Sequence, residues 1–486
     1  MAEDIKNILD KYPEYAANIG MEVHVQLKTN SKIFCSCPNK FGDEPNKNIC
    51  PICSGHPGVL PVLNKKVVDF ALMIGLATNS KLIRISKFAR KHYMYPDLPK
   101  NFQITQDDSP IFTQGYVPIE LPDGNEKKIN LTRIHMEEDA GKNIHSSDES
   151  LVDLNRAGTP LLEIVSEPDM ANSYETKAYL MRLKNIVQYL GISDADMEKG
   201  SFRGDVNISV RKKDAKELGT KIELKNINSF KFISQAIEYE IERQINALKT
   251  GEKLFQETRL WNTKKQQSFV MRTKETAQDY RFLNEPDLPL IEISDEWVEK
   301  IKKQIPELPH EKLNRFKKNH GLSTYEAGIL IDNLALANFF ETTTKICNKP
   351  KQVSNWMLRN LLGFLKENKI SLDQSKVTSE NFAQLIIELD NGTINTSVAQ
   401  DVFLDMATTG KSPSIIIDEK DLKQIGSQEE LKEIILEIIK NNPNEVKKYL
   451  AGNERLFKFF VGQSMKATKG KGNPKVIQEL LKKHLV

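Results

Sequence analysis

The sequence predicts an α+β protein: a mainly antiparallel sheet domain, an all-α domain after it, and a small all-α tail. Three observations carry this. From Ile19 to about Leu290 short runs alternate apolar and polar residues, broken by turn signals such as Pro57-Gly58, Pro122-Asp123-Gly124 and Glu285-Pro286-Asp287. Beyond Ser294 the apolar spacing becomes helical. From Asn441 to Val486 ten Lys/Arg stand against three Asp/Glu, so this end carries +7, whereas the whole chain of 486 residues carries only +3 and the first 440 therefore −4. The expected domains are residues 1–294, 295–411 and 412–486.

Within the first of these, residues 174–190 and 230–248 read as helices by length and composition. The second reads as helices over 295–304, 309–320, 323–343, 353–368 and 379–388, and the tail as helical from 428 to 440. With 39% hydrophobic residues and near-balanced charge the composition is that of an ordinary folded protein, which excludes global disorder. Nothing approaches the run of about 20 apolar residues that crosses a membrane. The first eighteen residues hold Glu3, Asp4, Asp10 and Glu14, no Arg and no apolar signal core, so a cytoplasmic, bacterial-type location is expected. A basic end meets nucleic acid phosphates or nothing in particular.

The first strand carries the most chemistry. Ile19, Met21, Val23, Val25 and Leu27 alternate with Gly20, Glu22, His24 and Gln26, so one face builds core and the other presents a carboxylate beside an imidazole. The arrangement returns at Asp205-Val-Asn-Ile-Ser-Val-Arg211 and at Lys221-Ile-Glu-Leu-Lys225. Two further runs bring acids to strand ends, His135-Met-Glu-Glu-Asp139 and Pro160-Leu-Leu-Glu-Ile-Val165. Glu163 stands alone among apolar residues, and a buried carboxylate needs a partner: a cation, or an ion pair with an arginine such as Arg156. Glu22, His24, Glu138 and Glu163 together make an oxygen-rich set with one imidazole, which suits magnesium or manganese. The chain has neither a Gly-x-x-x-x-Gly-Lys-Ser/Thr loop nor a Gly-x-Gly-x-x-Gly turn, so a nucleotide would have to lie on such a sheet. Arg90, Lys91, Lys100 and Arg156 then offer charge to its phosphates or are solvated surface.

Cys35-Ser-Cys37 and Cys50-Pro-Ile-Cys53 form C-x-C and C-x-x-C pairs twelve residues apart. Four thiolates so spaced fit a closed tetrahedral structural zinc site, with a redox dithiol as the alternative. Five cysteines in all, four of them clustered, point to a reducing compartment. No Gly-x-Ser-x-Gly elbow exists, and metal-bound thiolates are poor nucleophiles, so acyl-enzyme hydrolysis has no visible machinery.

Long ordered motifs go further. Ile19-Gly-Met-Glu-Val-His-Val-Gln-Leu27, Arg90-Lys-His-Tyr-Met-Tyr-Pro-Asp-Leu-Pro-Lys100, Phe102-Gln-Ile-Thr-Gln106, His135-Met-Glu-Glu-Asp-Ala-Gly-Lys142, Asn155-Arg-Ala-Gly-Thr-Pro160, Lys225-Asn-Ile-Asn-Ser-Phe230, Asp279-Tyr-Arg281 with Glu285-Pro-Asp287, Val461-Gly-Gln-Ser-Met-Lys466 and Gly472-Asn-Pro474 resemble the B subunits of the aspartyl/glutamyl-tRNA amidotransferases. The resemblance runs from about Asn18 to the last helix. One stretch departs from it: Tyr280-Arg-Phe-Leu-Asn-Glu-Pro-Asp287 replaces a Tyr-Arg-Tyr-Phe-Pro-Glu-Pro-Asp run.

The resemblance implies a glutamine-synthetase-like catalytic cradle, a helical linker and a tail that contacts tRNA. It implies ATP-dependent phosphorylation of Glu or Asp misacylated onto tRNA(Gln) or tRNA(Asn), then amidation by channelled ammonia. The ammonia would come from an amidase partner, the A subunit, with a small C subunit clamping the pair. Magnesium on Glu22, His24, Glu138 and Glu163 and structural zinc on Cys35, Cys37, Cys50 and Cys53 are expected. Lys91, Lys100, Arg156, Asp205 and Asn207 are the candidate cofactor contacts, and Glu137 and Asp139 share the acidic motif. Lys466, Lys469, Lys471 and Lys475 are the candidate tRNA contacts, from the charge excess. Two rival readings are a non-catalytic nucleic-acid-binding protein and a free-standing ligase acting on free glutamate.

Overall fold

The computed structural model describes residues 7–145, 148–273, 280–424, 428–468 and 471–485. The chain divides into two compact units, Met1–Lys312 and Leu313–Val486. The first is a sheet with helices and the second is helical, the α+β architecture expected. Its boundary falls after Lys312, not at Ser294, because the helix Asp295–Lys302 belongs to the sheet unit: Ile301 joins its core, and Trp297 Nε1 donates to Asp69 Oδ1 at 2.8 Å.

The strands that matter are β1 (Tyr15–Gln26), β2 (Ala89–His92), β3 (Phe102–Thr105), β4 (Glu126–Glu138), β5 (Pro160–Ser166), β6 (Phe202–Lys212), β7 (Ile222–Lys225), β8 (Glu257–Asn262), β9 (Gln267–Thr273) and β10 (Leu283–Asn284). Among the described residues they belong to a 13-stranded sheet whose main path is β9-β8-β7-β6-β1-β5-β4-β3-β2-β10. The ladders along it are antiparallel except β7 with β8, which are parallel and joined through the crossover helix Phe230–Thr250.

The alternation in β1 places its two faces as expected. Ile19, Met21, Val23 and Val25 are fully buried, while Glu22, His24 and Gln26 are half-buried. The apolar face is covered by the helices Ser173–Tyr189 and Phe230–Thr250, which contribute Tyr179, Leu180, Leu183, Ile237 and Ile241 to the same core. Asn172 and Ser229 cap these helices by accepting from Glu175 N and Phe232 N, which fixes where each starts. Close packing also needs Gly75, since a Cβ there would sit 2.2 Å from the Phe112 ring. With helices on one face, the sheet leaves its polar face open.

The second unit holds two separate cores. Leu313, Phe316, Phe340, Phe382 and Phe403 anchor one, with Phe316 and Phe340 ring centroids 4.8 Å apart. Ile416 and Ile417 also join it, so the start of the tail at residue 412 does not coincide with a break in packing. Leu431, Ile435, Phe460, Ile477 and Leu481 form the other. The helix read over 323–343 is two, Thr324–Ile331 and Leu334–Cys347, because Asn333 turns out of helical backbone and accepts from Ala335 N and Leu336 N. The one read over 353–368 starts earlier and passes through a π-helical turn, Met357–Leu361, before ending at Asn368. Among the described residues no helix is long and apolar enough to cross a membrane.

Candidate active site and four-cysteine centre

Strand register assembles the first cluster. His24 on β1 lies opposite Glu163 on β5, which lies opposite His135 on β4, so a carboxylate is flanked by two imidazoles in one row. Glu137, two residues beyond His135, shares its face. His24 Nε2 is 3.4 Å from Glu163 Oε2 and 3.4 Å from Glu137 Oε1, and His135 Nε2 is 3.3 Å from Glu163 Oε2. Burial pulls both imidazoles toward the neutral form, but contact with Glu163 and Glu137 outweighs it and leaves both raised, His135 to about 9. Burial likewise opposes ionisation of Glu163, yet the His135 and His24 rings hold it well below the usual carboxylate range. Glu163 thus finds imidazoles, not Arg156, as its partners.

A second cluster lies beside the first. Glu22 on β1 faces Asp205 on β6 in register, and Glu223 on β7 completes a group whose ligand oxygens lie within 4.8 Å of one another. Lys225 Nζ donates to Asp205 at 2.6 Å and lies 3.0 Å from Glu223. Asn207 Nδ2 donates to Glu22 Oε1 at 2.9 Å, while its own buried Oδ1 has no hydrogen-bond partner among the described residues. An orphaned amide oxygen beside three carboxylates is a donor set for a hard cation. His24, Glu137 and Glu163 form the other such set. The residues present fit magnesium at both.

Glu138 does not join them. Adjacent strand residues point to opposite faces, so with Glu137 facing His24, Glu138 turns away. It is buried, ion-paired with Lys100, and accepts from Ile104 N at 2.8 Å. Lys100 is therefore held by Glu138. Glu22 sits in the second cluster, apart from His24 and Glu163.

The first cluster lines a cavity of about 480 Å³, which the second reaches through Asp205; Lys225, Arg203, Lys91, Tyr93, Tyr95 and Tyr280 also line it. Lys91 Nζ sits 4.9 Å over the Tyr280 ring. Asp139 also lines it and accepts from Gln26 Nε2 at 2.8 Å and Arg203 Nη2 at 3.1 Å. Arg156 lies 3.5 Å from Asp139 and donates to the carbonyls of Ala140 and Gly141, so it braces this wall from outside the lining. Sequence reasoning did not single out Glu223, His135, Arg203 or Lys225. Glu223 and Lys225 stood on a noted polar face, and His135 shares strand parity with Glu137, but only register says which parity faces the bowl.

The four cysteine sulfurs lie within 4.8 Å of one another, with Sγ–Sγ distances of 3.9 Å for Cys37–Cys53 and Cys50–Cys53. A disulfide would need about 2.05 Å. Four Zn–S bonds of about 2.3 Å in a tetrahedron put sulfurs about 3.8 Å apart, so the thiols present fit zinc. Hydrogen bonding with Cys35 holds the Cys53 thiol down at about 4, helped against burial by the Cys50 amide and the Lys32 charge.

In the tail, Lys466 and Lys475 are exposed, and Lys471 is half-buried and paired with Asp421 at 2.7 Å. Lys469, and Asp279 of the Tyr280 motif, lie outside the described residues.

A sheet that gathers acids and imidazoles from separate strands into an open bowl, followed by helices, is the architecture that the resemblance to tRNA amidotransferase B subunits implies. Residues 17–299 match the family model of the GatB/GatE catalytic domain and residues 338–485 that of the GatB domain. The B subunit of the aspartyl/glutamyl-tRNA(Asn/Gln) amidotransferase of Persephonella marina is 50% identical over 97% of this chain and 100% of its own length. Those of Thermoanaerobacter pseudethanolicus and Gloeothece citriformis are 51% and 49% identical over 97% of this chain and 99% and 98% of theirs. The chain belongs to the B-subunit family of these amidotransferases.

Proposed function

We propose that this chain is the kinase and amide-forming subunit of a glutamine-dependent tRNA amidotransferase. ATP phosphorylates the side-chain carboxylate of Glu or Asp misacylated onto tRNA(Gln) or tRNA(Asn), and ammonia displaces the phosphate to leave Gln-tRNA or Asn-tRNA. The carrying observation is the hard-cation ligand set His24/Glu137/Glu163 lining one bowl, with a second set, Glu22/Asp205/Glu223, reaching it through Asp205.

Magnesium bound there supplies charge neutralisation between a phosphoryl group and an attacking carboxylate, whose mutual repulsion otherwise makes the transfer slow. The chain's own groups do the rest. Arg203, Lys225 and Lys91 offer positive charge to phosphate oxygens at the cavity wall. Tyr93, Tyr95 and Tyr280 offer aromatic faces at the cavity on which a base can stack. His135, 3.3 Å from Glu163 and 3.7 Å from Glu137, holds those carboxylates in place. Zinc on the four cysteines holds the adjoining loops and takes no part in the transfer, since a closed tetrathiolate site has no open position.

The absence of hydrolytic nucleophile machinery fits ammonia supplied by a partner amidase, the A subunit, with the small C subunit joining both. The basic tail fits tRNA backbone contact through Lys466, Lys469, Lys471 and Lys475, in the cytoplasm where charged tRNA is found. The test supplies purified complex with ammonium chloride, ATP, magnesium and Glu-tRNA or Asp-tRNA and follows amide formation. Wild type should form product, and Glu163→Gln should lower the rate at least about 100-fold, more than loss of an outer-shell partner typically costs. Equal rates would move the catalytic metal elsewhere, and amidation of free glutamate without tRNA would favour a free-standing ligase.

A further inference from the structure

Lys32 is fully buried, at 0% exposure, and lies away from the cavity lining. A lysine without water is costly unless its charge is offset. Among the described residues no carboxylate lies within ion-pair distance of it. Its ammonium has two acceptors, Cys53 Sγ at 3.6 Å and the Leu154 carbonyl at 3.3 Å. The charge that keeps Lys32 buried is therefore that of the cysteine centre. Four thiolates around one zinc ion leave two negative charges, and a single buried ammonium halves them.

The second acceptor leads to the catalytic bowl. Leu154 N donates to Asn46 Oδ1 at 2.8 Å, and Asn48 N donates to Asn155 Oδ1 at 2.8 Å, so the loop between the cysteine pairs grips segment 154–155. Ile33 N donates to Gly158 O at 2.9 Å. Gly158 has φ +80, and a Cβ there would lie 3.5 Å from Lys32 Cδ and 3.6 Å from Cys53 Cβ. The segment then docks on the wall of the bowl: Gly158 N donates to Asp139 O at 2.9 Å and Asp139 N to Thr159 O at 2.8 Å. Every step from thiolate to Asp139 is a short contact.

We propose that Lys32 is both counter-ion and tie of the four-cysteine centre: its ammonium offsets the tetrathiolate charge and fastens the centre to segment 154–159, so that zinc occupancy sets the order of the wall carrying Asp139 and Arg156. This rests on the zinc reading of the cysteines. Lys32 is a positioning residue, acting on the bowl only through its neighbours.

The test uses the full-length protein in its complex. Zinc content is measured first, then zinc transfer to a chromophoric chelator for wild type, Lys32→Met and Lys32→Arg. Lys32→Met should release zinc at least tenfold faster, and Lys32→Arg, which keeps the charge, should restore most of the difference. Hydrogen exchange at amides 139 and 154–159 is compared in zinc-loaded and zinc-stripped wild type, which needs no substitution to fold. Exchange there should rise at least tenfold on stripping. Unchanged release in Lys32→Met, or unchanged exchange on stripping, would overturn the role of Lys32 while leaving zinc in place. Wild type purified without zinc, and failing to bind it on addition, would instead overturn the zinc reading itself.

Discussion

The two ligand centres of the sheet unit are built in opposite ways. The four cysteines lie within nineteen residues, on loops whose spacing already brings the thiols together. The carboxylate and imidazole clusters draw on β1, β4, β5, β6 and β7, from Glu22 to Glu223, and exist only because of strand register. A local centre survives small changes in packing, whereas a register-built one is lost if any strand slips by one residue. Chemistry that needs a group poised between neighbours uses the second kind.

The largest expected effect separates two adjacent acids. Glu137→Gln should cut amide formation at least about 100-fold, because it removes a group of the His24 cluster. Glu138→Gln should leave magnesium affinity near wild type and cost about 1–3 kcal/mol of stability, since it weakens the buried partner of Lys100. Magnesium titration and denaturant melts of both variants check this, and the reverse pattern would mean that β4 presents the other parity. Next, Cys50→Ser should abolish zinc binding and lower the melting temperature by about 5–10 °C. Ammonia-dependent activity should then fall less than in Glu137→Gln, because the local centre supports the register-built one without joining it.

The pH dependence is smaller and has a definite sign. His135 is raised from 6.5 to about 9, so the stability it contributes is fully present below pH 6.5 and is lost as pH rises through about 9. Glu163 is lowered, so its contribution is present above pH 4.5 and is lost as pH falls through the depressed value. In chelator-treated protein, wild type should therefore exceed His135→Gln in stability most at pH 6 and least at pH 10, by a difference on the order of 3 kcal/mol at most. Denaturant midpoints at the two pH values read it directly. The smallest effect is expected in the tail: Lys466→Ala with Lys475→Ala should flatten the logarithmic salt slope of tRNA binding by about 1–2 units. An unchanged slope would take these exposed lysines out of the interface. Lys471→Ala alone should do less, because Asp421 already shares its charge.

The sequence by itself determined what is periodic or local. Period-two alternation placed Glu22 and His24 on one face of β1, cysteine spacing assembled a four-sulfur centre, and length and composition located the two long helices near 174–190 and 230–248. It also held the family, through long motifs read in order. Tertiary structure decided what depends on neighbours far along the chain. The parity of β4 relative to β5 made Glu137, and not Glu138, the partner of His24, and the pairing of β6 with β1 and β7 set Glu22 apart with Asp205 and Glu223. Burial gave Lys32 its role. Alternation says that two residues face opposite ways but not which way is in, and only the packed helices and paired strands settle that.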